Sequence, residues 1–110
     1  MSKAAYWQRG EAIDFTNTTG AAIEANEIVV FGSHIGIAGT PIAKDETGSL
    51  HVSGVFEMPK KESEAIGAGT DVYYSADDGI TATEAGNTKA GYAIEAASET
   101  DTTVKVKLLG

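Results

Sequence analysis

Apolar residues come along this chain in short groups separated by Gly, Asn, Asp, Ser and Thr, at intervals that suit strands and not helices. Alternation is clearest over residues 50–58. There Leu50, Val52, Gly54, Phe56 and Met58 share one face, His51, Ser53, Val55 and Glu57 share the other, and Pro59 ends the run. Val104, Val106 and Leu108 alternate in the same way with Lys105 and Lys107. Both patterns predict antiparallel strands with one buried and one solvated face. Shorter candidates precede them: Ile13 and Phe15 alternate with Ala12 and Asp14, Ile28 to Phe31 reads as a buried run, and Ile35 and Ile37 follow Gly32.

Between Val72-Tyr73-Tyr74-Ser75 and Ile80-Thr81-Ala82-Thr83 stands Ala76-Asp77-Asp78-Gly79, whose Asp-Gly pair tolerates the positive φ of a tight turn; a β-hairpin is predicted. Only residues 60–66, behind Pro59, could form a helix, and one so short depends on packing for its stability. Twelve Thr residues and the Gly-rich joints support the same fold class. The expectation is an all-β chain, a small antiparallel barrel or sandwich with at most one short helix.

The chain also resembles itself. Ala22-Ile23-Glu24-Ala25 with Ile28-Val29-Val30 matches Ala65-Ile66-Gly67-Ala68 with Val72-Tyr73-Tyr74, an offset of 43 residues. Gly36-Ile37-Ala38, residues 43–47, Leu50 and Val52 match Gly91-Tyr92-Ala93, residues 97–100, Val104 and Val106 at 54 to 55. The difference places about a dozen extra residues around 78–90. Two similar β-units packed face to face, with a pseudo-twofold, would account for it.

At 110 residues there is room for one domain. Of the 46 apolar residues 17 are Ala, and Leu, Ile, Val and Phe together number 22, one fifth of the chain. So lean a core, without disulfides, is commonly completed against other copies or a partner. An oligomer or assembly component is expected.

The net charge of −8 disfavours binding to a phosphate backbone. It is unevenly placed: residues 2–9 carry Lys3 and Arg9 and no acid, beside the aromatic pair Tyr6 and Trp7, so the remainder carries −10. That segment reads either as a docking arm or as a first strand whose Trp7 caps the protein's own core. We divide the chain accordingly into an N-terminal arm, residues 1–9, and a β-domain, residues 10–110. The absence of Cys excludes disulfides, thiolate nucleophiles and thiolate metal sites, and fits a reducing cytoplasm. Residues 1–10 show no signal-peptide core, and the most apolar stretch falls far short of the roughly 20 residues that span a bilayer. Neither secretion by a signal peptide nor membrane insertion is expected.

Catalytic, cofactor-binding and metal-binding constellations are all missing. His34 and His51 stand without a second ligand at useful spacing, and there is no Gly-x-Ser-x-Gly or Ser-x-x-Lys motif. Asp77-Asp78-Gly79 fails the calcium-loop pattern and reads as a turn. Asp45, Glu46, Glu62 and Glu64 read as solvated loop charges. Gly67-Ala68-Gly69 lacks the rest of a dinucleotide fingerprint, and no phosphate-binding loop occurs. Asn17-Thr18-Thr19 has the spacing of a glycosylation sequon but no secretory signal to make it matter.

Gly54-Val55-Phe56-Glu57-Met58-Pro59-Lys60 resembles a segment of the tailed-phage capsid decoration, or cement, proteins. Tyr6-Trp7-Gln8-Arg9-Gly10 with Ile13-Asp14 is similar to that family's opening. Residues 69–74, Gly86-Asn87-Thr88, Gly91-Tyr92-Ala93, Asp101 and Val104-Lys105-Val106 are similar to its second half. Arg9 departs from the proline expected there. Some members carry a RecA/RadA-like recombinase label, which implies a nucleotide-binding core that this sequence lacks. The resemblance implies a non-enzymatic β-rich subunit of the virion. Made in the host bacterial cytoplasm, it would bind the outside of the expanded head and bridge major capsid proteins.

Such a fastener needs edges or an arm that can join a neighbour's sheet, and weak contacts suffice when many copies act together. Lys3, Tyr6, Trp7, Arg9, Pro59, Lys60, Lys61 and Glu64 are the expected contacts to capsid or neighbouring copies, with residues 59–64 alternatively a solvated connection. The partners expected are the major capsid protein and the chain itself, as a trimer before a dimer or monomer, with no nucleic acid, membrane, metal or cofactor. The rival reading is a carbohydrate- or host-binding module with a shallow groove lined by Tyr73, Tyr74 and Tyr92.

Overall fold

The computed structural model describes residues 2–6 and 8–108. Nine strands run in chain order: β1 Ala12–Thr16, β2 Ile28–Phe31, β3 His34–Ala38, β4 Thr47–His51, β5 Val55–Pro59, β6 Asp71–Ser75, β7 Gly79–Thr81, β8 Thr88–Ala93 and β9 Thr103–Leu108. They form two antiparallel sheets, one ordered β1-β4-β3-β2 and the other β5-β9-β8-β6-β7.

The sheets are two copies of one design. β1, β4, β3 and β2 correspond in order to β5, β9, β8 and β6. Ile13 pairs with Leu50 as Phe56 pairs with Val106, and Ile28 pairs with Ile37 as Asp71 pairs with Tyr92. The connecting loops repeat too: the bridge between Ile23 and Ile42 recurs between Ile66 and Ala97. Val52 N donates to Glu11 O at 3.0 Å, and Leu108 N donates to Gly54 O at 3.0 Å. The internal repeat is therefore present in the hydrogen bonds, with one correction: Leu50 and Val52 correspond to Val106 and Leu108, at an offset of 56, and not to Val104 and Val106. Its extra residues are β7 and the loop that follows.

Each unit closes around its own core. In the first, Ile23, Val29, Ala38, Ile42 and Leu50 are buried, with Ile13, Phe15 and Phe31 half-buried at the margin. In the second, Met58, Ile66, Val72, Ile80, Val104, Val106 and Leu108 are buried. β3 joins the two because its alternate residues face opposite ways: Ala38 packs into the first core, Ile35 and Ile37 into the second. The equivalent strands β3 and β8 pack against each other. A chain with few large apolar residues thus builds two small cores, each buried side chain of Leu or Ile size contributing about 1.5–3 kcal/mol.

Several expectations hold. β9 buries Val104, Val106 and Leu108 and exposes Lys105 and Lys107. The hairpin forms between β6 and β7, with Gly79 at φ 81° closing its turn. Three expectations are corrected. Residues 60–66 are not a helix, and none occurs among the described residues: Lys60 and Ile66 are held by bridges to Ile80 and Ala97, and Ser63 takes φ 59°, which right-handed helix forbids. The alternation over 50–58 is not one strand; Gly54 at φ 107° breaks it, sending β4 to one sheet and β5 to the other. Ile28 to Phe31 is not buried throughout, because β2 is an edge strand and only Val29 is buried.

Candidate functional site

Pro59, Lys60, Lys61 and Glu64 lie together where β5 ends beside the β6–β7 hairpin. Pro59 is exposed and pairs with Thr103 of β9. A Cβ on Gly79 would stand 2.6 Å from the Pro59 carbonyl, so only glycine allows the hairpin to approach this closely. Lys61 N donates to Ile80 O at 2.9 Å and Lys60 bridges Ile80 in parallel, so β7 meets the end of β5 and the five-stranded sheet curls until its edges touch. Glu64 is half-buried, and its Oε1 accepts from Ala82 N at 3.3 Å.

Lys60 is only 4% exposed. Its Nζ donates to the carbonyls of Lys61, at 2.8 Å, and Glu64. A buried ammonium needs acceptors, and these two carbonyls shape residues 61–64 into a loop around it. Lys60 therefore organises the loop, and the exposed Pro59 and half-buried Lys61 and Glu64 form its outer surface.

Residues 2–6, with Lys3 and Tyr6, are exposed, lie outside every strand and make no hydrogen bond among the described residues; Arg9 is exposed as well. Trp7 lies outside the described residues. The first strand of the body begins at Ala12, not within this segment.

Two clefts lie beside the loop that Lys60 organises. One, of about 480 Å³, runs between the start of β2 and the hairpin, over Ile28, Pro59 and Tyr74, with Glu27, Asp77 and Asp78 on its rim. The other, of about 510 Å³, lies between Lys60, Lys61 and Glu62 on one side and Asp77 and Asp78 on the other. Sequence reading missed Glu27 and Ile28 here because the first cleft arises where the two units meet, which no local period reveals. Asp77 and Asp78 were legible as a turn, and their solvent-facing position beside Pro59 is the added fact.

The three tyrosines do not share a groove. Tyr74 packs on the second core, whereas Tyr73, its neighbour in β6, points the other way and its hydroxyl donates to Glu84 Oε2 at 3.0 Å. That hydrogen bond to a carboxylate raises the Tyr73 hydroxyl above the ordinary phenol range, aided by desolvation and by the charges of Glu84 and Asp71. Lys107 Nζ stands 5.9 Å over the Tyr92 ring.

The chain is all-β and built as two joined copies, and one comparison decides the family. A family model described as phage cement protein matches residues 7–108. The chain belongs to the phage cement proteins. No curated protein and no solved structure matches it. The match spans both β-units. Membership makes this a structural component of the phage capsid with a capsid-stabilising role.

Proposed function

We propose that this cement protein binds the outer surface of the expanded phage head and bridges neighbouring major capsid proteins, without bond-making chemistry. The observation that carries the reading is the family match over both units, taken with the seam at Pro59. Exposed Pro59, Lys61 and Glu64 present a loop made rigid by buried Lys60. A preorganised loop loses little entropy on docking, so a small contact repeated over a lattice holds firmly. The basic segment with Lys3, Tyr6, Trp7 and Arg9 supplies the second contact, to capsid or to neighbouring copies, and the acidic body faces solvent. A trimer suits the threefold positions of such a shell.

Removal of residues 2–9 is expected to leave the β-domain folded and to lower its occupancy on expanded heads. Unchanged occupancy would refute the contact role of that segment.

A further inference from the structure

The duplication is unequal at one place. In the second unit β7 covers the outer side of β6, and its Ile80 is fully buried in the core. Among the described residues the first unit has no such strand. β2 keeps β3 on one side and, among the described residues, no strand on the other, so alternate N–H and C=O groups of β2 face outward. Val30 stands where Tyr73 stands in the second unit; Tyr73 pairs with Thr81 of β7, whereas Val30 is 44% exposed. Ile80 has no counterpart among the described residues of the first unit; Phe15 and Phe31, which stand where Met58 and Tyr74 stand in the second, are half-buried, with ring centroids 6.3 Å apart. The free edge leads at its start into the cleft over Ile28 and Pro59, with Glu27, Asp77 and Asp78 on the rim.

One segment of the chain has the complementary properties. Residues 2–6 are exposed and outside every strand, Tyr6 is 83% exposed, and Lys3 and Arg9 give residues 2–9 a positive charge with no acid. We propose that residues 2–6 of one copy lie as an added strand along the free edge of β2 in a neighbouring copy, in the place that β7 holds in the second unit. Backbone groups complete the open ladder, the aromatic ring covers the apolar mouth, and the cations meet the acidic rim. Contact of one copy's arm with the next copy's edge is heterologous, the kind of contact that closes into a ring, a trimer included, when the rotation between copies closes. This assigns a partner to the N-terminal segment and rests on the reading of that segment as a contact element.

The cysteine-free chain allows a direct test. Single variants Lys3→Cys, Ala5→Cys and Tyr6→Cys, which cover the possible registers, are each mixed with Val30→Cys and oxidised, with and without expanded shells. Val55→Cys, an equally exposed valine on β5, serves as control. At least one arm position is expected to give a disulfide-linked dimer with Val30→Cys several-fold above the control. No dimer above control in either condition overturns the proposal, as does a Tyr6–Val30 disulfide that forms only within a chain carrying both substitutions. Shell coating, followed by sedimentation of the same samples, reports separately on the capsid reading: coating without the cross-link removes this proposal alone, and the cross-link without coating removes the capsid reading alone.

Discussion

Asn17 and Lys60 occupy the same position in the two units, 43 residues apart, and each sends a side-chain nitrogen to the carbonyl four residues further on. Asn17 Nδ2 donates to Ala21 O at 2.8 Å and to Ile42 O at 3.0 Å, while its Oδ1 accepts from Thr19 N and Oγ1. Lys60 Nζ donates to Lys61 O and Glu64 O. Both residues are buried, and both backbone N–H groups pair with the matching strand-entry loop, at Glu46 O and Thr102 O. Two different side chains thus perform one task, tying the turn after the first strand of each unit.

Replacement of either should destabilise the protein by leaving carbonyls unpaired. Asn17→Ala and Lys60→Met are each expected to cost about 1–3 kcal/mol in urea unfolding. Lys60 should also be the slowest lysine to react with an amine-acetylating reagent. Rapid acetylation of Lys60 in the folded protein would contradict its buried role.

Gly36 and Gly91 are likewise equivalent, in β3 and β8, but their surroundings differ. A Cβ on Gly91 would overlap the Lys107 carbonyl, a backbone atom that cannot move aside alone, whereas on Gly36 it would meet Leu50 and the His51 carbonyl at 3.2 to 3.3 Å. Gly91→Ala is expected to lower stability by about 3 kcal/mol and Gly36→Ala by about 1 kcal/mol. Equal unfolding midpoints for the two variants would count against the described packing of β8 on β9.

Much of this was legible beforehand. Val104, Val106 and Leu108 announce β9 because one face of that strand is buried and the other is wet. Asp78-Gly79 announces the hairpin through backbone sterics. The two offsets announce the duplication, since the same loop geometry demands the same small residues. The rest depends on contacts between distant parts. Alternation continues through Gly54 although the chain changes sheets there, because the period of a strand is indifferent to which sheet it joins. Residues 60–66 follow a proline as a helix does, yet Ile80 and Ala97 bridge them. Lys60 reads as a surface cation, and only its two carbonyl partners show that it is internal.

Loss of Ile80, which fills the second core, should cost more than loss of Phe31 at the margin of the first. Ile80 is fully buried, so Ile80→Ala is expected to destabilise by about 2–5 kcal/mol; Phe31, half-buried at an open mouth, should cost less. Thermal unfolding of both variants gives the order, and a larger loss for Phe31→Ala would reverse this account of the two cores.

Tyr73 should ionise above the ordinary phenol range in a phenolate absorbance titration of a variant that keeps it as the single tyrosine. Its protonated form donates to Glu84, so the folded state holds the proton more firmly than the unfolded chain. The stabilisation is complete below the ordinary tyrosine value and is lost as pH rises through the raised one. Glu84→Gln should bring Tyr73 back toward the ordinary phenol range, and no change in that variant would exclude Glu84 as the cause.

Mixing the purified chain with immature and with expanded phage shells, then measuring bound protein by sedimentation and shell survival on heating, bears most directly on the role of a passive capsid fastener. Saturable coating of the expanded form, with coated shells surviving a higher temperature than bare ones, is the expected result. Absence of coating on the expanded form, or coating that leaves its heat resistance unchanged, would contradict it.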